Sequence, residues 1–198
     1  MSLELWNTFA TFGTFIVIAA TAIAALVQIR HARGSNQIAA LAQLEAASQT
    51  PQFDAADHFV RAELAGKLQD PEFRYQTVNR AERTDENITL IRQVSTVGNH
   101  WENVGLLVRT GLVDRDLAMK LYSASATSTW DSFAPLTAIT RQGFGDATWE
   151  NFECLVVFCQ DWQAAHPKGA YPAGVRRIAL KNEWLDADAR YAASRGPA

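Results

Sequence analysis

Residues 5–29, LWNTFATFGTFIVIAATAIAALVQI, contain no charged side chain across twenty-five positions. As an α-helix this stretch is about 38 Å long at 1.5 Å per residue, and the hydrocarbon core of a bilayer is about 30 Å thick. Lipid offers backbone N–H and C=O groups no partners, so a segment that enters it must be helical. A cleaved signal sequence is the competing reading. Such sequences open with basic residues, whereas this chain opens MSLELW, with an acid and no Lys or Arg. The basic residues come afterwards, as Arg30, His31 and Arg33. Basic flanks mark the cytoplasmic end of a span. The expectation is therefore one uncleaved pass within residues 1–30 in a bacterial inner membrane, with the N-terminus outside and the bulk of the chain in the cytoplasm.

The span has two unlike sides. At 100° per residue, Phe9, Phe12, Phe15, Ile16, Ile23, Leu26 and Ile29 gather on one face. On the other, Asn7, Thr11, Thr14, Ile18, Thr21, Ala25 and Gln28 recur at alternating steps of four and three, the spacing of a helix seam. Lipid tails suit Phe and Ile but offer nothing to Asn, Thr or Gln. One reading has each Thr hydroxyl bond back to its own helix. The other has copies of the helix pack together through this seam, or line a wet pore. Membrane lipid and further copies of the chain are the expected partners, together with a protein partner for the cytoplasmic part.

Residues 31–50 read as a juxtamembrane helical stalk, in which Ile38, Leu41, Leu44 and Ala47 recur every third position. Gly34 and Ser35 either bend it at the membrane surface or are carried within a helix that continues to the residue before Pro51. Residues 51–167 alternate helical periods with short breaks and show no strand run. Phe53, Val60, Leu64 and Leu68 mark a first amphipathic helix, and Asp70-Pro71 starts a second. Thr84 or Asp85 caps a long third helix carrying Ile88, Ile91, Val94, Val97, Trp101, Val104 and Val108, closed by Gly111. Asp114 caps the next, with Pro135 as an expected kink, and Pro167 stops the last. Residues 168–198 form a tail with basic Arg176, Arg177 and Lys181 and a weaker helix. The fold class is all-α: a single N-terminal transmembrane helix followed by an antiparallel helical bundle.

Trp-Glu-Asn occurs twice, in WENVGLLV from Trp101 and in WENFECLV from Trp149. The flanks STVGNH and GFGDAT do not match, and a duplicated module would repeat its turns as well as its core. Both stretches read as helix faces that bury a Trp, with Glu and Asn near a packing seam. Arg92, His100, Glu102 and Glu153 are candidates for a polar cluster across the bundle that specifies packing or holds a small ligand.

Signals of chemistry are sparse. The four His residues lie in no ligand spacing, and there is no HExxH or CxxC. Asp54, Asp57 and His58 read as the acidic start of a helix, and GFGDA as a turn. Cys154 and Cys159 sit in an apolar stretch and read as buried thiols in a reducing compartment. A net charge of −3 argues against nucleic acid as a partner. No catalytic residue, metal or cofactor is expected, and the protein is expected not to be an enzyme.

Leu106, Leu107, Val108, Arg109, Gly111, Leu112, Asp114, Asp116 and Leu117, then Trp130 and Pro135, then Glu150, Asn151, Phe152, Glu153 and Leu155, carry a resemblance. Over roughly residues 85–160 the chain resembles a bacterial family of membrane-anchored proteins classed as a domain of unknown function. The resemblance implies an N-terminal membrane helix and a helical domain, and no activity. In architecture the chain is also similar to the membrane accessory protein of type VI CRISPR systems, which joins a membrane helix to a helical domain and assembles into a pore-like ring. That protein's soluble domain is related to a ribonuclease bundle marked by Arg and His at a short separation. Arg92 and His100 leave seven residues between them, so the ribonuclease motif is absent here. The functional expectation is a homo-oligomeric single-pass membrane protein with a cytoplasmic helical collar, acting on the membrane as a pore or as a stress or phage-defence effector. The alternative is a membrane-anchored adaptor with no pore.

Overall fold

The computed structural model describes residues 3–195, with side chains from residue 11 onward. The described residues are helices and connections, with no strand among them. Residues up to Pro167 form one compact unit and those from Lys168 another.

Helix α1 (Leu3–Ser48) is unbroken over 46 residues, about 69 Å. It runs through Gly34 and Ser35, so the apolar stretch and the stalk are one rod. Leu44 is buried on the bundle, with Ala40 and Leu41 packed beside it. The stalk thus ends inside the domain and does not stand free below it.

The connections carry the stop and start signals in the sequence. Thr50 accepts the Phe53 N–H at 3.1 Å and Pro51 opens α2 (Pro51–His58). Its path continues through a π-helical turn (Phe59–Glu63) into α3 (Leu64–Lys67), where a plain helix was expected. The wider turn lets consecutive residues Phe59 and Val60 both face inward, and both are buried. Arg61, on the same turn, donates to Asp57 at 2.7 Å and, far along the chain, to Ser128 and Thr129 at 3.0 and 2.5 Å.

Asp70 accepts the Glu72 N–H to start α4 (Pro71–Val78), which is followed by a 3-10 turn (Arg80–Glu82). Thr84 caps α5 (Asp85–Arg109) and Asp114 caps α6 (Arg115–Phe144). The apolar stripe of α5 is buried from Val94 to Val108, but Ile88 is exposed. Asn87 takes the inward position in that first turn, donating to Gln76 of α4 at 3.0 Å. Helix α6 stays helical through Pro135. A five-residue turn leads to α7 (Glu150–Ala165).

Phe152 is the hub of the core. It stacks on Trp101 at 5.8 Å between ring centroids and meets Trp130 and Phe133 at 4.9 and 5.7 Å. The aromatic cluster therefore joins α5, α6 and α7, and such pairs contribute about 0.5–1.5 kcal/mol each beyond their buried area.

Close approach of α5 to α7 depends on Gly105. A Cβ there would overlap the Asn151 carbonyl group, which is backbone and cannot rotate away. Gly66 of α3 has open space around it. Gly105→Ala should cost about 3 kcal/mol or more and lower the thermal midpoint by roughly 6–12 °C. Gly66→Ala should leave it unchanged or slightly raised. Thermal melts of the two variants in detergent check this, and equal midpoints would remove the close approach from the account.

Candidate functional site

Among the seam residues, Thr11, Thr14, Ile18, Thr21, Ala25 and Gln28 are all exposed, and the side chain of Asn7 lies outside those described. So too are Phe12, Phe15, Ile16, Ile23, Leu26 and Ile29 on the other face. The chain thus covers neither side of this part of α1. An 18-residue window of the helix has a mean hydropathy of 2.2 with none of it buried, long and apolar enough to cross a bilayer. The Thr21 hydroxyl donates to the Val17 carbonyl at 2.8 Å, within its own helix.

Where α1 meets the bundle, a cavity of about 490 Å³ lies between α1 and α5, bordered by Gln43, Leu44, Phe53, His100 and Leu107. The His100 ring stands edge-on to Phe53 at 4.8 Å and to Trp101 at 5.2 Å. Burial holds its pKa below the usual imidazole value, while the charges of Glu45 and Asp57 partly oppose that. A neutral imidazole beside the docked end of α1 is what this surrounding selects.

The polar residues expected to cluster do not do so. Glu102 of α5 reaches across to α7, accepting the Asn151 side-chain N–H at 2.6 Å and the Phe152 backbone N–H at 2.9 Å. Glu153 instead pairs with Arg141 of α6 at 2.8 Å. Arg92 is exposed and borders a shallow groove with Gln52, Ala55 and Thr89. His100 makes the aromatic contacts above. No hydrogen bond or ion pair joins any two of these four among the described residues. The reason is direction: successive positions of one helix point 100° apart, so nearness in sequence does not give a common partner.

What the structure brings together is the two Trp-Glu-Asn stretches. Trp149 occupies the cap position of α7 in a left-handed conformation (φ 55°, ψ 35°) with no side-chain cap. A bulky residue there costs about 1–2 kcal/mol. The orphan N–H groups of the α7 N-terminus need an acceptor, and Glu102 from the first stretch supplies it, its negative charge set against the positive end of the helix dipole. Arg109 and Glu150 add a pair at 3.3 Å along the same seam. Trp101 is buried and Trp149 half-buried. The absence of a local cap before Glu150 is the sequence signal for a distant acceptor, but nothing local names Glu102 as that acceptor.

The remaining candidates resolve locally. Asp57 pairs with Arg61 at 2.7 Å and His58 with Glu63 at 3.7 Å. Among the described residues no group of three or more His, Cys, Asp or Glu could hold a metal ion. GFGDA is a turn, with Gly145 at φ 89°. Cys159 is buried, which pushes its thiol up to about 12, whereas Cys154 is half-buried. In the separate C-terminal unit, Arg176, Arg177 and Lys181 are exposed, Arg177 lies over Tyr171 at 4.5 Å, and α8 (Leu185–Ser194) follows.

Removing the Glu102 carboxylate would strand two buried donors at the start of α7. Glu102→Ala should therefore destabilise the fold by about 2–3 kcal/mol, and Glu102→Gln, which keeps one acceptor oxygen, by less. Urea unfolding of both variants measures the difference, and a loss no larger than that of a control at the exposed Asp131, Asp131→Ala, would contradict the capping role.

No protein of curated function and no solved structure matches the chain. A family model described as a domain of unknown function, DUF4760, matches residues 15–162. The matched region begins inside the apolar part of α1 and reaches almost to the end of α7, about three quarters of the sequence. The chain belongs to the DUF4760 family.

Proposed function

We propose that this is a non-enzymatic, single-pass membrane protein that works as a homo-oligomer. In this reading α1 crosses the inner membrane with its N-terminus outside. Its small and polar face (Thr11, Thr14, Thr21, Ala25) packs against neighbouring copies, and the bundles form a collar on the cytoplasmic side. The assembly acts on the membrane itself, by opening a pore or perturbing the bilayer as a stress or phage-defence effector does.

The observation that carries this reading is the continuity of α1. One rod joins the wholly exposed apolar stretch to Leu44 in the bundle core, so rotation or tilt of the span is transmitted to the domain without a flexible linker. The family match supports treating the two as one unit, since it starts within the apolar stretch. The adaptor reading, in which α1 only anchors, is favoured by the internal hydrogen bond of Thr21, which frees that hydroxyl from needing a neighbouring helix.

Native mass spectrometry of the protein in lipid nanodiscs separates the two. The proposal expects a discrete multiple of the 21.8 kDa chain that is lost when Thr11, Thr14 and Thr21 are all replaced by Leu, with membrane leakage lost alongside. A monomer, or an oligomer indifferent to these substitutions, would reject the seam and leave the adaptor.

A further inference from the structure

A second cavity, of about 240 Å³, opens where α4, the 3-10 turn, α5, α6 and the turn before α7 converge. Its apolar wall includes Ile91, Val94, Leu136, Phe144 and Trp149, and its charged wall is Arg80 and Arg83. No carboxylate lines it. Arg83 is half-buried and Arg80 exposed, and a guanidinium drawn partly out of water normally finds an acid or a phosphate.

The two guanidinium groups are held in place without being neutralised. Arg83 donates Nε–H to the Gln76 carbonyl at 2.9 Å and Nη2–H to the Thr77 carbonyl at 2.7 Å, which fixes it across the end of α4. Arg80 lies over the Phe144 ring, 4.5 Å from its centroid. Neither forms an ion pair among the described residues. Burial and the neighbouring charge of Arg80 both hold the Arg83 pKa below its usual value. The nearby acid, Glu82, is engaged by the Tyr75 hydroxyl at 2.8 Å.

The rest of the wall is equally specific. Ser95, Thr77 and Thr140 each donate their hydroxyl to a carbonyl of their own helix, so they present only acceptor oxygen to the cavity. Asn99 accepts from the Trp149 indole N–H at 3.4 Å, and its own side-chain N–H groups are available. Trp149 is the one non-glycine residue with positive φ among the described residues. Its indole lies against Gly98, where a Cβ would come within 2.7 Å of Nε1. Strain of this kind is retained where a fixed side-chain position serves a site.

We propose that this cavity binds a small anion carrying a planar apolar ring, a phosphomonoester or a carboxylate. The anion sits on Arg80 and the free Nη1 of Arg83, and the ring lies between Phe144 and Trp149. The volume is below the roughly 300–1,000 Å³ of drug-sized pockets, which limits the ligand to about one ring and one charged group. Carboxylate and phosphate are both matched by the guanidinium fork.

Titration calorimetry of the full chain in detergent, with phenyl phosphate, benzoate and inorganic phosphate as probes, tests this. Phenyl phosphate or benzoate should bind with a dissociation constant below about 1 mM, and whichever binds more tightly identifies the anion. Inorganic phosphate should bind at least about tenfold more weakly than phenyl phosphate, for want of a ring. Arg80→Gln should lower the affinity about tenfold or more while lowering the thermal midpoint by no more than about 4 °C, the loss of one exposed contact with the Phe144 ring. Phe144→Leu should weaken both ring-bearing probes and leave inorganic phosphate unaffected. Absence of binding by either ring-bearing probe up to about 5 mM, or binding unchanged in Arg80→Gln, would overturn the proposal.

Discussion

Nothing in the described chain covers α1 between residues 11 and 30. Phe12, Phe15, Ile16, Val17, Ile18, Ile23, Leu26, Val27 and Ile29 are all exposed, and each would forgo roughly 1.5–3 kcal/mol by remaining in water. Together they amount to at least as much as the roughly 5–15 kcal/mol that stabilises a typical folded domain. The helix therefore needs an apolar medium or apolar partners. Because α1 does not break at Gly34, whatever fixes the apolar half also fixes Leu44 and its neighbours on α5.

The bundle is held at its other critical point by an acceptor borrowed across helices. α7 begins without a side-chain cap, behind a strained Trp149, and its first N–H groups would be unsatisfied in a half-buried setting. The Glu102 carboxylate meets that need, and Gly105, one turn further along α5, lets the two backbones come close enough for it to do so. Phe152 is thereby seated against Trp101, Trp130 and Phe133. The repeated Trp-Glu-Asn is thus one seam seen from both sides, in which the first Glu serves the backbone beside the second Asn.

Much of this architecture is legible in the sequence because it rests on local chemistry. Thr50-Pro51, Asp70-Pro71, Thr84 and Asp114 mark helix starts by the hydrogen bonds their side chains can accept, and the threefold and fourfold spacing of Val and Leu marks the buried faces. The features that escape are those that depend on distant residues. The π-helical turn at Phe59–Glu63 arises from packing against α6, which places Arg61 on Thr129. Ile88 fits the stripe of α5 but loses the inward position to Asn87, whose partner Gln76 lies on another helix. Arg92, His100, Glu102 and Glu153 look like one cluster along the chain, yet they point to different neighbours. The Arg80 and Arg83 cavity draws its walls from three helices and the turns beside them, and no single stretch announces it.

The central claim is that α1 crosses the membrane once and leaves the bundle on the inner side. Single cysteines introduced by Ser2→Cys and Ser35→Cys into a chain whose own Cys154 and Cys159 are replaced by Ser and Ala, probed in intact cells with a membrane-impermeant maleimide, test it directly. The account predicts labelling at position 2 in intact cells and at position 35 only after the membrane is permeabilised. Labelling of both positions in intact cells, or of position 35 alone, would contradict it.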